Sequence, residues 1–328
     1  MKDVPPPPRL GPAGHELDAA RARRRAALPE GRLDLFDIGG LDRLGLSVRV
    51  AAFAGADGFV MDGFGYGADA AEAEVGALGE ISEAAHIDRA LRRTPVTIAS
   101  HGVLVAKLGA ARVVDPRELC LPAGSDWTPD TETAWIPVRR WPDGAGGLAP
   151  LEAVATAPGQ WARAVGDRPA AMLFRPITCG LGAGLDLAQA LSHGVLELLQ
   201  RDGNCTSFRA MDRGIAITLD RIADPGLARL VEDIEARGLG ITAKLASTEF
   251  GLVNLYVVGR GLDTGVALAQ TACGEAVHPN AERALRKALL EFCAARCRKA
   301  FMHGPLDPIR RLAPEGYLAS YARLFDPA

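Results

Sequence analysis

Two stretches of the sequence decide the fold, GFGYGADAAEAEVGALGEISE (63–83) and GLGAGLDLAQALSHGVLELLQ (180–200). In both stretches three glycines alternate with other residues, and a run of residues that favour helices follows them. The first helix is expected to begin just after Gly67. The sequence therefore predicts two junctions at which a glycine-rich turn leads into a helix.

The polar residues that follow the glycines have the same spacing in both stretches. A glutamate lies 13 residues after the third glycine, and a second glutamate or a glutamine lies 16 residues after it. The residues are Gly67, Glu80 and Glu83 in the first stretch, and Gly184, Glu197 and Gln200 in the second. This repeated spacing predicts an internal structural repeat.

The polar residues of each helix are expected to share one face, because residues three or four apart lie on the same side of a helix. His193 lies four residues before Glu197 and joins its face. The second helix is apolar almost all round, which predicts that the helix and Glu197 are buried. A buried carboxylate needs compensation, and the two candidates are Arg201 and a divalent cation.

Clustered carboxylates suit Mg²⁺, which takes oxygen ligands and often shares them with nucleotide phosphates. Glycine loops add backbone amides and room for close approach. In one interpretation the two modules hold Mg²⁺ and a polyphosphate between them. In the other, the glycines let strand and helix pack closely and the acids are ordinary ion-pair partners; the spacing favours neither. Neither loop matches GxxxxGK[ST] or GxGxxG, so no P-loop or Rossmann site is predicted.

The rest of the chain alternates strand-like and helix-like runs. We predict strands before each glycine loop, strands within 94–150, a helix and two strands over 229–260, and a strong helix over 278–301. The strand-like runs are LSVRVAAF (46–53), a short run at 59–61, TAWIPVRRW (133–141) and the run that begins with AMLF (171–174). The predicted fold class is α/β, with repeated β and α modules around a central nucleotide site.

The ends of the chain are expected to lie outside the main domain. Residues 1–33 carry four consecutive prolines and an arginine run, and they predict a loose Pro/Arg-rich arm followed by a short helix. The arginines fit a solvated helix face better than a nucleic-acid contact. The main domain is predicted over 34–305, and a C-terminal helix and tail over 306–328.

Composition limits the function. The 328 residues are 48% hydrophobic and 23% charged with a net charge of −3, which is typical of a globular protein without a broad surface for nucleic acid. Six cysteines without a C-x-x-C pair predict free thiols. The sequence has no signal-peptide core and no run of about 18 apolar residues. We therefore expect a soluble cytoplasmic protein without nucleic-acid or membrane partners.

Four motifs resemble those of the YcaO family, in family order. DIGGLDRLGLSVRVA (37–51) is similar to its opening segment of the type TGLDRIGIPV, and ALGEISEAAH (77–86) to its first E-x-x-E. TCGLGAG with HGVLELLQRD (178–202) resembles SNGxAxG followed by hGLxExxERD. ACGEAVHPNAERALRKALLEFCAARC (272–297) resembles the closing histidine, RALxE and Arg. A YcaO-like fold is the corresponding expectation.

The resemblance implies an enzyme that uses ATP and Mg²⁺ to phosphorylate the oxygen of peptide backbone amides. A neighbouring Cys, Ser or Thr side chain then gives an azoline, and an external sulfide gives a thioamide, in a ribosomally synthesised peptide. It implies Glu80, Glu83 and Glu197 as metal ligands, and Glu197 and Glu291 as catalytic residues. The residues implied to bind the cofactor are Arg43, Gly180, Gly184, Gln200, Arg201 and Lys287.

Several positions depart from the family pattern. Cys179 stands where the family usually has Asn, and Gln200 where it has a second Glu. Lys287 replaces an Arg, exchanging a planar fork for a point charge, and Tyr66 occupies a loop that often reads GKG. Apart from the resemblance, the spacing of Lys287 and Glu291, four residues apart on one helix face, predicts an exposed intrahelical ion pair. These departures leave turnover of ATP open.

The alternative function is a non-catalytic YcaO-like scaffold or binding subunit of a peptide-modifying complex. A third reading, an unrelated ATP-dependent ligase, would release AMP rather than ADP. The expected partners are a peptide substrate, a separate TfuA-type or leader-peptide-binding protein, and a second copy of the chain in a homodimer. The last two rest on the resemblance.

Overall fold

The computed structural model describes residues 14–119, 121–207, 214–262 and 270–320. They form two compact units: unit 1 combines Met1–Ser82 with Gly182–Ala328, and unit 2 is Glu83–Leu181. The helices are α1 (Gly14–Ala27), α2 (Ala70–Arg93), α3 (His101–Leu108), α4 (Pro158–Val165), α5 (Leu187–Ser207), α6 (Pro225–Ala236), α7 (Ala281–His303), α8 (Leu306–Leu312) and α9 (Glu315–Ser320). The strands are β1 (Gly31–Asp37), β2 (Val48–Gly55), β3 (Val60–Tyr66), β4 (Thr97–Ser100), β5 (Glu132–Arg139), β6 (Gly146–Pro150), β7 (Ile215–Ile217), β8 (Leu239–Ser247), β9 (Val253–Gly261) and β10 (Thr271–His278).

The first sheet of unit 1 is antiparallel, in the order β1-β2-β3. Its central strand β2 is buried on both faces, which explains its nearly continuous apolar sequence. Val48 and Val50 pack against the end of α7, whereas Ala51 and Phe53 on the opposite face pack against α2. The predicted strand over 46–53 is thus confirmed, with its start shifted to Val48.

The second sheet of unit 1 is also antiparallel, in the order β10-β9-β8-β7. One face packs on α6 and α7, and α5 contacts the same sheet through β8, β9 and β10. Helix α7 lies between the two sheets: Ala288 and Phe292 belong to the core of the second, and Cys297 and Phe301 to the core of the first. The predicted helix and two strands over 229–260 and the helix over 278–301 are confirmed.

A buried ion pair fixes α7 against the loop before β2. The Arg296 guanidinium donates to both carboxylate oxygens of Asp42, with N···O distances of 2.9 and 3.1 Å. Both side chains are almost completely buried. Losing either partner would leave an uncompensated buried charge, so this pair ties the opening motif of the chain to its closing helix.

The internal repeat is present in the backbone contacts of unit 1. A Cβ on Gly65 would overlap two backbone atoms of α2, the carbonyl oxygen of Ala73 and the nitrogen of Ala77. A Cβ on Gly182 would overlap the carbonyl oxygen of Ala190 and crowd the nitrogen of Gly194, both in α5. The contacted residues lie eight and twelve positions after the glycine in both modules. The predicted repeat is therefore structural: each glycine lets its helix approach with no side chain between them.

The helix starts repeat as well. In each module an aspartate accepts from the backbone amide three residues on, and the side chain of that later residue reaches back to the amide just before the aspartate, as in a capping box. The aspartates are Asp69 and Asp186, the partners that reach back are Glu72 and Gln189, and the amides are those of Ala68 and Leu185.

Two expectations about the second module are wrong. Residues 172–186 form no strand among the described residues; only Ala171 makes an isolated bridge, to Thr133. Helix α5 is not buried all round either, since Leu187, Val195 and Leu198 are 64%, 52% and 50% exposed. The buried side of α5 consists of small and polar residues: Gly194, Gln200, Gly203 and Asn204. Close contact favours glycine over bulky apolar residues there, so hydrophobicity misjudged which side faces inward.

Unit 2 contains the antiparallel sheet β4-β5-β6, with β5 confirming the strand predicted at 133–141. Its core joins the end of α2 through Leu91 to Ala134 and Ile136 of β5. Glu152 is completely buried and accepts from the Leu173 amide. Burial raises the pKa of this carboxyl.

The described ends of the chain pack onto unit 1. Helix α1 confirms the short N-terminal helix, but its Arg21 and Arg25 pair with the buried Glu74 of α2 rather than forming only a solvated face. Helices α8 and α9 confirm the C-terminal helical prediction, and Ile309 and Tyr317 pack beneath the first sheet. The four prolines at 5–8 lie outside the described residues.

The described cysteines are all free thiols; Cys120 lies outside the described residues. None of the helices in the described ranges has the length and apolar composition needed to cross a membrane.

Substitution of Gly65 by alanine should destabilise the protein, because the added methyl group would overlap backbone atoms of α2 that cannot move independently. We expect a loss of about 1–3 kcal/mol in the free energy of unfolding, measured by urea denaturation. Gly40→Ala is the matched control, because nothing lies within 4 Å of a Cβ there. Equal losses in both variants would contradict the role given to the close contact.

Candidate functional site

The two modules bring Glu80 and Glu197 into one electrostatic environment within unit 1. Glu80 lies on α2 and accepts from the Phe64 backbone amide of β3 at 2.7 Å. Surrounding protein desolvates this carboxyl and raises its pKa, although part of the side chain is open to solvent, and the negative charge of Glu197 raises it further. The Phe64 amide and Arg298 oppose the shift. Two acids separated by 117 residues thus act on each other.

Arg201 is a basic partner of Glu197. It was one of the two candidates predicted to compensate the negative charge of Glu197, the other being a divalent cation. Its guanidinium lies 3.5 Å from the Glu197 carboxylate, one turn back on α5. It also lies 3.7 Å from the carboxylate of Glu275 on β10. Sequence reasoning missed Glu275, although a glutamate inside an otherwise apolar strand was a visible signal.

Glu291 of α7 lies beside this group. Burial raises the pKa of the Glu291 carboxyl, and the charge of Glu275 adds to the effect. Lys287, the Glu275 backbone amide and Arg201 lower it. Lys287 and Glu291 therefore interact as expected for residues four apart, but the predicted exposed pair is wrong, because Glu291 is partly buried within a charged cluster.

Tyr66 joins β3 to this cluster. Its hydroxyl donates to the Glu291 carboxylate at 3.3 Å. Burial raises the pKa of the Tyr66 phenol well above its ordinary value, with further contributions from the charges of Glu291 and Glu80. The phenol therefore keeps its proton and acts as a neutral donor to Glu291.

Arg298 is a second residue that the sequence analysis did not single out. Its guanidinium lies 4.6 Å from the centre of the Phe64 ring, in cation–π geometry. From there its positive charge lowers the pKa of both Glu80 and Tyr66. It lies seven residues after Glu291, so helix periodicity could have placed it on the same side of α7.

The other predicted residues take different places. Gln200 is buried on α5, His193 is exposed on it, and a Cβ on Gly184 would overlap Ala190 N at the helix start. Arg43 donates to the carbonyl of Arg237 at 3.4 Å, in the loop before β2. Glu83 lies on the part of α2 that belongs to unit 2. Cys179, which is partly exposed, and Gly180 also belong to unit 2. The structure thus groups Glu80, Glu197, Arg201, Lys287 and Glu291; the roles predicted for all these residues stay predictions.

The donor set fits a cation that arrives with other ligands. Within the described residues no three Asp, Glu, His or Cys side chains form a metal-binding group. Glu80 and Glu197 offer hard carboxylate oxygens, and desolvation together with the negative charge of Glu197 raises the pKa of Glu80. Mg²⁺ typically takes one or two carboxylates and completes its shell with water and phosphate oxygens. The residues therefore fit nucleotide-bound Mg²⁺ better than a cage built by protein alone.

Residues 64–324 match the family model described as YcaO cyclodehydratase, ATP- and Mg²⁺-binding. No curated protein matches the chain significantly.

Three solved structures are similar in fold. The YcaO of Methanopyrus kandleri bound with AMPPCP and Mg²⁺ is 19% identical with a TM-score of 0.62, over 96% of this chain and 74% of that one. A heterocyclase in complex with substrate and cofactor is 15% identical with a TM-score of 0.65, over 94% and 44%. The E. coli microcin synthetase McbBCD complex is 12% identical with a TM-score of 0.55, over 89% and 70%. These likenesses show a YcaO-like fold, as predicted, and the chain spans less than half of the heterocyclase.

The raised pKa of Glu291 predicts a pH-dependent effect of Glu291→Gln. The folded protein holds a proton on this carboxyl at a pH where the unfolded chain has lost it, so the native carboxyl costs stability as pH rises above the ordinary glutamate range. Relative to the wild type, the variant should gain stability between pH 5 and pH 8, measured by urea denaturation. Glu235→Gln, at an exposed position of α6, is the control. Parallel pH profiles for Glu291→Gln and the wild type would contradict the assignment.

Proposed function

The chain belongs to the YcaO family, and from that premise we propose that it uses ATP and Mg²⁺ to activate backbone amides of a ribosomally synthesised peptide. The observation that carries the proposal is the electrostatic interaction of Glu80 with Glu197, which come from the two modules. Two interacting carboxylates with the basic side chains of Arg201 and Arg298 beside them suit a metal–polyphosphate complex better than they suit a purely structural ion pair. The M. kandleri protein, which shares the fold, is bound with AMPPCP and Mg²⁺.

In the proposed reaction the amide oxygen takes a phosphoryl group, a nucleophile adds to the amide carbon, and inorganic phosphate leaves. Bound Mg-ATP would supply the phosphoryl group, since an amide oxygen is a poor leaving group without it. Phosphoryl transfer depends mainly on positioning and on neutralising charge. Glu80 and Glu197 would hold the cation, with Glu83 as a further predicted ligand, while Arg201 and Lys287 would face phosphate oxygens.

Glu291 is placed to move protons in this reaction. Its raised pKa brings a carboxyl closer to neutral pH, where a general acid or base works best. The Tyr66 hydroxyl holds one of its oxygens. Glu291 would therefore take the proton that the nucleophile loses as it adds to the amide carbon. Arg43, Gly180, Gly184 and Gln200 remain proposed cofactor-binding residues.

The nucleophile decides the product. A Cys, Ser or Thr side chain of the peptide would give an azoline, and external sulfide would give a thioamide; we propose both as possible products of the same activation step. A separate TfuA-type or leader-peptide-binding protein would deliver the peptide, and two copies of the chain would form a homodimer in the cytoplasm. One protein of similar fold belongs to a complex of several subunits, microcin synthetase McbBCD.

A second candidate is a non-catalytic scaffold in such a complex. The contact between Arg201 and Glu197 supports it, because an acid engaged by arginine is less available to a metal ion. Gln200 supports it as well, since an amide brings no negative charge to the site. ATP consumption separates the two functions.

Glu197→Gln should lower the affinity for Mg-AMPPCP at least tenfold, because it removes a carboxylate charge at the proposed metal site. Isothermal titration calorimetry measures the loss, and Glu235→Gln on α6 serves as control. The wild type should also release ADP in the presence of its peptide, and the variant should not. Unchanged Mg-AMPPCP binding by Glu197→Gln would contradict the proposed site, and a wild type that binds a partner but never consumes ATP would favour the scaffold.

A further inference from the structure

Arg201 lies between two carboxylates that come from different elements. Glu197 belongs to the same helix, and Glu275 reaches Arg201 from β10. The N···O distances of 3.5 and 3.7 Å exceed the 2.7–2.9 Å of a tight charge-assisted hydrogen bond. The guanidinium is thus shared between the two acids and closed tightly onto neither.

Glu275 is placed specifically toward α5. Its neighbours Gly274 and Ala276 face α7: a Cβ on Gly274 would overlap Ala288 O, and Ala276 lies in the α7 core. Side chains alternate along a strand, so Glu275 points to the opposite face of the sheet, where Arg201 lies. Its side chain is only 7% exposed, against 22% for Glu197. A carboxylate so buried is costly unless a positive charge compensates it.

The internal repeat shows what Glu275 adds. The first module carries Glu80 and Glu83, but the second carries Glu197 and Gln200, and therefore has one acid fewer. Glu275 restores a negative charge beside the second module from another strand. Without it, the attraction of Arg201 toward Glu197 on α5 would meet less opposition from β10, and arginine and a metal ion would compete more strongly for the Glu197 carboxylate.

We propose that Glu275 is a positioning residue that holds Arg201 from β10 and so leaves Glu197 available to Mg²⁺. The inference rests on the proposed function. In the Glu275→Gln variant, Arg201 closes onto Glu197, and an incoming cation must displace it. The variant therefore binds Mg²⁺ more weakly, although Glu275 itself is not a ligand.

The test is calorimetric titration of Mg²⁺ into the full chain with AMPPCP present. Glu275→Gln should lower the Mg²⁺ affinity at least fivefold in the wild-type background and less than twofold in an Arg201→Gln background, because the competing guanidinium is gone there. Glu74→Gln is the matched control: Glu74 is 9% exposed and also paired with arginines, but outside the site. It should leave the Mg²⁺ affinity unchanged.

The outcomes separate this inference from the function on which it rests. A wild type that binds no Mg²⁺ with AMPPCP would overturn both. Binding by the wild type that Glu275→Gln leaves unchanged, or lowers equally in both backgrounds, would overturn the inference alone. If the single variant does not fold, Arg201→Gln is compared with the double variant, in which neither charge is left unpaired. A difference of fivefold or more in Mg²⁺ affinity between these two would contradict a role through Arg201.

Discussion

Backbone contact between a glycine and a helix is the constraint on which the site depends. Gly65, Gly182 and Gly274 each touch a helix at a point where a methyl group would overlap its backbone. Such contacts leave the helix little freedom to rotate or slide. Glu80 lies seven residues, about two turns, beyond the contact at Ala73, and Glu197 lies at the same distance beyond Ala190. The same local geometry occurs twice, and both carboxylates therefore lie at the same distance along their helices from the contact with the glycine.

Once the helices are fixed, charge balance shapes the site. Glu80 and Glu291 both have raised pKa values because neighbouring protein desolvates them, and because Glu197 adds negative charge near Glu80 and Glu275 near Glu291. Arg298 opposes the shift at Glu80, while Lys287 and Arg201 oppose it at Glu291. Tyr66 adds a donor without adding a charge. Acidic and basic side chains thus oppose one another within the cluster.

The chain's local patterns predicted its elements well. The helices after both glycine-rich stretches, the helix over 278–301 and the strand at 133–141 follow from periodicity and propensity, and the structure confirms them. The glycine-rich turn predicted at 63–67 was wrong, because Gly63 and Gly65 lie within strand β3. The burial of α5 was predicted wrongly, because Leu187, Val195 and Leu198 made it apolar all round while the tight contact selected Gly194 and Gly203 for the inner side. The arginine run of α1 was misjudged for a related reason: its partner Glu74 lies about fifty residues away in the chain.

The sequence alone determined the repeat, the family and the faces on which Glu80, Glu197 and Glu291 lie, because spacing along a regular helix fixes direction without knowledge of the rest of the chain. Only the tertiary structure decided which charges meet. Glu275 reaches Arg201 from a strand 74 residues further on, and Tyr66 reaches Glu291 across 225 residues. No local pattern encodes such contacts, because they depend on how sheets and helices stack. Secondary structure sets the direction in which a side chain points, and tertiary packing decides which groups it contacts.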